Sequence, residues 1–228
     1  SHVAQLGRMA VVVKGCDARA VAGLIRETQI QRDDLIVIGV RCGGVLADTH
    51  DTRELSIDTV ADRCRGCDVR EPHLADHLVG PVLPGFDGPS HRDRRIEEHM
   101  ARSVEERWAF WQGEMQRCIR CYACRQVCPM CFCERCVADK TEPQWLESSP
   151  HPRGNLAWHL TRAMHQAGRC TDCGECERAC PMDIPLTLIT RHVARVVAER
   201  FGYKTTDDPA VPEPIGTYRL DDPQEFIL

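Results

Sequence analysis

Two short apolar runs flank an amphipathic segment near the start of the chain. Residues Met9 to Val13 and Leu35 to Val40 are continuous apolar runs rich in β-branched side chains, as buried strands are. Between them, Asp17 to Thr28 places apolar side chains at helical spacing. Because a helix is the usual connection between neighbouring parallel strands, this pattern predicts a parallel βαβ unit.

The rest of the chain has a helical pattern. A stretch rich in glycine and proline, Gly80 to Ser90, predicts a linker. Beyond it, Arg94 to Arg117 is strongly charged with apolar insertions and predicts one long helix. Further helices are predicted over Leu156 to Gly168 and over Leu186 to Arg200. From Thr205 onward, proline and aspartate predict an extended tail that lies over its own domain or a partner.

These elements divide the chain into four segments. We predict an α/β domain over residues 1–80, a linker over 81–94, an α-helical domain over 95–203 and an extended tail over 204–228. A chain of 228 residues is long enough for two modest domains, each with its own core.

Charge and hydropathy exclude two classes of partner. The formal net charge is -5, and the sequence contains no basic block or basic aromatic stripe, which argues against nucleic acid. No apolar stretch approaches the roughly 18 residues that a spanning helix needs. We therefore expect a cytoplasmic protein without direct membrane insertion.

The candidate chemistry lies in the cysteines, of which the chain has 15. The run C-x2-C-x2-C-x3-C-P occurs twice, from Cys118 to Pro129 and from Cys170 to Pro181. In such a run the first three thiolates bind one iron-sulfur cubane, and the fourth, before the proline, binds the other. The sequence therefore predicts two 4Fe-4S clusters whose crossed ligands tie the two segments together.

Each predicted cluster takes three cysteines from one run and the last cysteine of the other. The ligands of cluster 1 are predicted to be Cys118, Cys121, Cys124 and Cys180. The ligands of cluster 2 are predicted to be Cys170, Cys173, Cys176 and Cys128. Zinc fits less well because the third cysteine of each run would be surplus to a tetrahedral site. Disulfides fit less well because 15 cysteines cannot all pair internally. Together with the surrounding helices, the runs predict an α-helical two-cluster ferredoxin domain.

Four further cysteines lie in the α/β segment. Cys16 follows the first predicted strand and Cys42 follows the second, so both should lie at the same edge of a parallel sheet. Cys64 and Cys67 form a C-x2-C pair soon afterwards and complete a set of four. The alternative is that Cys16 and Cys42 are small buried side chains, and that Cys64 and Cys67 hold zinc with other ligands.

The motifs around these cysteines resemble those of the β-subunit family of deazaflavin-dependent hydrogenases and formate dehydrogenases, over residues 9–80. The matching motifs are Lys14-Gly15-Cys16-Asp17, Gly39-Val40-Arg41-Cys42, Cys64-Arg65-Gly66-Cys67 and Ala75-Asp76. The resemblance implies a third 4Fe-4S cluster on Cys16, Cys42, Cys64 and Cys67, beside a flavin. No G-x-G-x-x-G follows the first strand, so FAD on this chain is implied by the resemblance alone.

Three cysteines remain, Cys131, Cys133 and Cys136. Cys133 and Cys136 are candidate metal ligands and could form a paired zinc site with Cys64-x2-Cys67, which would deprive Cys16 and Cys42 of their partners. The alternative is a cysteine-rich shell that shields the neighbouring cluster and adjusts its potential.

The double run in a helical setting is similar to the iron-sulfur subunits of heterodisulfide reductases and of fumarate and succinate enzymes. Joined to the front motifs, it predicts an electron-transfer subunit of a multi-subunit oxidoreductase complex. Its partner subunits would be a flavoprotein, hydrogenase, formate dehydrogenase or heterodisulfide-reductase-like protein. The alternatives are a catalytic disulfide or flavin-linked reductase subunit, and a structural assembly platform that is held together by metal.

Arginines near the cysteines could adjust the cluster potentials. Arg120, Arg125, Arg169 and Arg178 lie among the predicted ligands in sequence. Positive charge near a cluster favours its reduced, more negative form. Solvated arginine side chains are the alternative.

Overall fold

A small parallel sheet lies in the first part of the chain, and we call residues 9–79, from the first strand to the last, the first lobe. The computed structural model describes residues 7–48, 50, 52–86, 88, 90–147 and 149–221. Strand β1 (Met9–Val13), helix α1 (Gly15–Arg26) and strand β2 (Leu35–Val40) form the predicted βαβ unit. A third parallel strand, β3 (His77–Val79), pairs with β2, so the strand order is β1-β2-β3.

Helix α1 packs one face on this sheet. Ala18 and Ala22 of α1 are fully buried against β1 and β2, where Val37 is also inaccessible to solvent. The helix begins at Gly15, two residues before the predicted start, because the Asp17 carboxylate accepts a hydrogen bond from the backbone N–H of Lys14 (3.1 Å). This early start places Cys16 in the first turn, directly after β1.

The predicted long helix over 94–117 is wrong. The structure has two helices there, α2 (His91–Met100) and α3 (Val104–Arg117). The Ser103 hydroxyl accepts from the backbone N–H of Glu106 (3.1 Å), and the Glu106 carboxylate accepts from the backbone N–H of Ser103 (2.8 Å). This capping box starts a new helix, and its S-x-x-E signature is visible in the sequence. Helix α2 also begins inside the predicted 81–94 linker.

The second lobe, residues 91–201 from α2 to α7, is helical. Its remaining helices are α4 (Ala123–Gln126), α5 (Pro152–His165), α6 (Glu175–Arg178) and α7 (Leu186–Phe201). The core of the lobe is built around Trp158 of α5, with Met115 of α3 and Ile184 before α7 almost completely buried. Helix α7 ends at Gly202, which adopts the left-handed conformation (φ 62°) that glycine tolerates best.

The residues after α7 lie against the first lobe. The Asp207 carboxylate accepts from the backbone N–H of His73 (2.7 Å), and the Asp208 carbonyl accepts from the Arg26 guanidinium (2.9 Å). Arg169 of the second lobe forms an ion pair with Glu27 at the end of α1. The tail therefore lies against its own chain up to the buried Glu213, whereas residues 215–221 are exposed. The rest of the predicted tail, 222–228, lies outside the described residues.

None of the helices in the described ranges is long and apolar enough to cross a bilayer.

Replacing Gly15 should destabilise the first lobe. A Cβ at this position would lie 2.0 Å from the carbonyl oxygen of Val69, so Gly15→Ala must displace a backbone segment. We expect the free energy of unfolding to fall by about 1–3 kcal/mol in chemical denaturation of anaerobically prepared protein. Gly113→Ala is the matched control, because Gly113 is exposed within α3 and no atom lies within 4 Å of the added Cβ. That variant should gain about 0.5–1 kcal/mol, and a loss equal to that of Gly15→Ala would contradict the steric argument.

Candidate metal centres

The two cysteine runs adopt the same local structure. In the first run, Arg120 and Tyr122 have positive φ angles of 53° and 62°. At the corresponding positions of the second run, Asp172 and Gly174 have φ angles of 57° and 74°. Each run then forms a single helical turn, α4 or α6. Such repeated left-handed turns curl the chain so that its cysteines face a common point.

The predicted ligands of cluster 1 surround one small cavity. Its volume is about 20 Å³, and its walls include Cys118, Cys121, Cys124 and Cys180. Cys180 therefore lies with the three cysteines of the other run, as crossed ligation requires. Trp158 and His159 of α5 complete the wall on the interior side.

The predicted ligands of cluster 2 surround a second cavity. It also measures about 20 Å³ and is lined by Cys128, Cys170, Cys173 and Cys176. Here Cys128 is the cysteine contributed by the first run. Arg162 and Gln166, from the C-terminal end of α5, line the same cavity.

The donor sets fit 4Fe-4S clusters. Each cavity offers four cysteine sulfurs, the set that such a cluster takes. Within the described residues, no three His, Cys, Asp or Glu side chains converge closely enough to hold a single metal ion. A cubane binds its thiolates on separate irons, so its ligands stand further apart than those around one tetrahedral zinc. The arrangement therefore suits clusters better than zinc.

The buried thiols favour their protonated form in the absence of metal. Burial raises the pKa of Cys124 and of Cys176 to about 11 and that of Cys170 to about 12. A thiolate in such surroundings needs a nearby positive charge. Iron held by these sulfurs would supply that charge, so its binding would release protons and stabilise the fold.

The four cysteines of the first lobe also lie together. Cys16, Cys42, Cys64 and Cys67 all line one cavity of about 200 Å³ at the carboxyl ends of β1 and β2. Burial, followed by the neighbouring Asp17 carboxylate, raises the pKa of Cys16 to about 11. The structure thus brings the four predicted ligands of the third cluster to one cavity. Asp172 and Cys173 line both this cavity and that of cluster 2.

The remaining cysteines do not join a set of four. Cys133 is exposed, and Cys136 packs against the core around Trp158. Neither lines any of the three cysteine-lined cavities. Because Cys64 and Cys67 lie with Cys16 and Cys42, the structure does not bring them to Cys133 and Cys136 for a shared zinc site.

Cys131 is linked through Gln166 to Cys128, a predicted ligand of cluster 2. Its sulfur accepts from the Gln166 side-chain amide (3.4 Å), whose oxygen is 3.7 Å from the sulfur of Cys128. A polar contact of this kind stabilises negative charge on the sulfurs around a cluster.

One face of helix α5 carries polar residues that the cysteine motifs do not reveal. Three residues of α5 and Gln166, which directly follows the helix, continue this face at helical spacing, all at most 7% exposed: Asn155, His159, Arg162 and Gln166. Asn155, His159 and Arg162 contact the first cysteine run. Arg162 and Gln166 line the cavity of cluster 2. The available signal was their i, i+4, i+7 and i+11 spacing, which marks one face of a helix, here a polar one.

Asn155 fixes the start of the first run. Its side-chain amide donates to the carbonyls of Met115 (3.0 Å) and Cys118 (2.8 Å), and its oxygen accepts from the Arg120 guanidinium (3.0 Å). The carbonyls at the end of α3 are thereby satisfied although they are buried. Asn155 thus fixes the position of Cys118 against α5.

His159 lies beside the same ligand. Its Nε2 is 3.5 Å from the Cys118 sulfur. Burial, and then the charges of Arg162 and Arg120, lower the pKa of His159 to about 4, so the imidazole is neutral at physiological pH. A neutral ring can donate an N–H to a ligand sulfur without adding charge.

The four arginines predicted near the ligands differ in their surroundings. Arg120 is buried and lies over the Trp158 ring, 5.4 Å from its centroid. Arg125 pairs with Asp139, and Arg169 pairs with Glu27. Arg178 is exposed and pairs with Glu175. Its charge is therefore screened by solvent.

Removing the Asn155 side chain should loosen the first run. Asn155→Ala leaves two buried carbonyls without donors, which should cost about 1–3 kcal/mol in the free energy of unfolding. We expect a parallel loss of iron from cluster 1, measured as iron per chain after anaerobic purification. Thr161→Ala on the same helix removes only a bond from the Thr161 hydroxyl to the carbonyl of Ala157 (2.9 Å). It should change stability by no more than about 0.5 kcal/mol, and indistinguishable variants would refute this role for Asn155.

Comparisons with known proteins agree with this geometry. Residues 114–184 match the 4Fe-4S dicluster domain family. The chain is 24% identical to F420-dependent formate dehydrogenase subunit beta of Methanocaldococcus jannaschii over 287 aligned positions, covering 90% of this chain and 75% of that protein. It is 23% identical to F420-dependent formate dehydrogenase 1 subunit beta of Methanococcus maripaludis over 303 positions, covering 93% of this chain and 76% of that protein.

Both alignments are longer than the 228-residue chain, so the relatives contain insertions that this chain lacks. The similarity confirms the resemblance inferred from the front motifs. Together with the dicluster match, it supports the predicted role of an iron-sulfur electron-transfer subunit in an oxidoreductase complex.

Proposed function

We propose that this chain relays single electrons along a row of three 4Fe-4S clusters in an oxidoreductase complex. The observation that carries this proposal is the grouping of 12 cysteines into three sets of four around three neighbouring cavities. A 4Fe-4S cluster exchanges one electron at a time, so a row of them connects two-electron chemistry to a distant site.

The order of the three clusters in the row follows from the residues that their cavities have in common. The first-lobe cavity and the cavity of cluster 2 share Asp172 and Cys173. Cluster 2 is linked to cluster 1 through Arg162, which lines the cluster 2 cavity and donates to the carbonyl of Cys124. Cluster 2 is therefore the middle member, between the first-lobe cluster and cluster 1.

The two ends of the row face different surroundings. The first-lobe set lies at the carboxyl ends of parallel strands, where α/β folds bind ligands. At the other end Cys121 is exposed, and the neighbouring Ile119 is 61% exposed. We propose that the first-lobe cluster exchanges electrons with a two-electron site at these strand ends. Cluster 1 would exchange electrons with a partner subunit at the surface around Cys121.

The names of the relatives indicate the chemistry of the complex. Both are F420-dependent formate dehydrogenase subunits. We propose that the two-electron reaction served by this chain is of that class, with a deazaflavin at one end of the electron path. FAD is implied for this chain by the sequence resemblance alone, and assay of acid-released flavin in the purified complex tests it separately.

The chain's own residues supply ligation, shielding and charge. Twelve cysteines bind iron, and the core around Trp158 excludes water from the inner side of cluster 1. Water exclusion and hydrogen bonds to sulfur set the potential of a cluster.

Iron content after anaerobic purification tests the three-cluster proposal. Three clusters require about 12 iron atoms per chain, with reversible bleaching and EPR signals on reduction. The double variant Cys16→Ser with Cys42→Ser should lose about four irons and keep both ferredoxin-type signals. The double variant Cys133→Ser with Cys136→Ser is the matched control and should keep all of them.

Three results would count against the proposal. A wild-type chain with about eight irons would remove the third cluster and leave a two-cluster relay. Iron that does not bleach reversibly would favour the structural platform. Zinc in place of iron would overturn the relay altogether.

A further inference from the structure

Arg162 is a buried cation between the two cysteine runs. It lies on α5 and is 7% exposed. Its guanidinium donates to the backbone carbonyl of Cys124, a predicted ligand of cluster 1, at 3.0 Å. The same side chain lines the cavity of cluster 2 with Cys128 and Cys176. One positive charge is therefore in contact with the surroundings of both clusters.

Arg162 has no carboxylate partner among the described residues. The other arginines near the runs are paired: Arg120 and Arg125 with Asp139, Arg169 with Glu27, and Arg178 with Glu175. The Nε of Arg162 is buried and forms no hydrogen bond in the described part of the chain. A buried charge without a counterion is strongly destabilising, so the fold must provide negative charge from another source.

The available negative charge comes from cysteine sulfur. The Arg162 guanidinium donates to the carbonyl of Cys124 and lines one cavity with Cys128 and Cys176. All three of these cysteines are predicted cluster ligands. A cubane with four thiolates is itself an anion, and reduction makes it more negative.

We propose that Arg162 is the shared counterion of clusters 1 and 2 and that it raises the reduction potentials of both together. The inference rests on the proposed function, because it requires both clusters to be present. A positive charge in a poorly polarisable interior stabilises the reduced form of each neighbouring cluster. Since one charge acts on both clusters, it shifts both potentials in the same direction and leaves the difference between them nearly unchanged.

The third cluster provides an internal reference. Arg162 is not among the residues that line the first-lobe cavity, which approaches cluster 2 only through Asp172 and Cys173. Removing the Arg162 charge should therefore alter two potentials and leave the third nearly unchanged. A general loosening of the protein would not have this selectivity.

Anaerobic redox titration followed by EPR tests the proposal on the full-length chain or its complex. Arg162→Gln removes the charge and keeps an amide donor. Arg162→Lys keeps the charge but loses the planar guanidinium group with its paired N–H donors. For Gln we expect the one-electron equilibria of clusters 1 and 2 to shift at least about tenfold toward the oxidised form, or about 59 mV. For Lys we expect a shift below about threefold, because the buried charge remains.

Arg178→Gln is the matched control. Arg178 lies between two ligands in sequence, yet its side chain is 67% exposed. Its removal takes away the same charge from a solvated position, so the shift should stay below about threefold. Equal shifts for Arg162→Gln and Arg178→Gln would overturn the proposal.

Two further results would overturn the proposal that Arg162 is a shared counterion. One is unchanged potentials in an iron-replete Arg162→Gln variant, and the other is a shift in the potential of only one of the two clusters. If Arg162→Gln does not assemble clusters, Arg162→Lys decides: intact clusters near the wild-type potentials support the proposal, and lost or shifted clusters refute it. A wild-type chain with fewer than about eight irons would instead refute the proposed function, so the two failures are distinguishable.

Discussion

Helix α5 holds the two cysteine runs in position, and the second lobe depends on the burial of this helix. Trp158 on one side of the helix anchors the core, while Asn155 satisfies the carbonyls at the entrance to the first run. Polar groups inside a protein fix a geometry because an unpaired one is costly. The hydrogen bonds of Asn155 therefore help to fix where the first cysteine run lies against α5.

The link between the two lobes is also electrostatic. Glu27 at the end of α1 pairs with Arg169, which directly precedes Cys170, and Arg63 beside Cys64 pairs with Glu175 in the second run. Asp207 joins the segment after α7 to His73 of the first lobe. These contacts place the first-lobe cysteines next to Cys173. Because electron transfer depends on the separation of the clusters, these partly buried ion pairs contribute to the geometry of the proposed relay.

The sequence predicted the local elements better than the contacts between them. Strands β1 and β2 were found at the expected residues because continuous β-branched runs have few alternatives. Strand β3 is only three residues long, too short to give a pattern. The break before α3 was signalled by Ser103 and Glu106, but the surrounding charged pattern obscured it. The polar face of α5 was missed because single polar residues usually indicate solvent, and only the tertiary fold places Arg162 in the interior.

The exposure of Cys121 has a consequence for the protein in air. The four predicted ligands of cluster 2 are all at least partly buried, whereas Cys121, a predicted ligand of cluster 1, is an exposed residue. Dioxygen and chelators reach an exposed cluster edge first, so oxidative damage would begin at the outward end of the row. The site best placed for contact with a partner is thus also the most vulnerable one, and a docked subunit would protect it as well as exchange electrons with it.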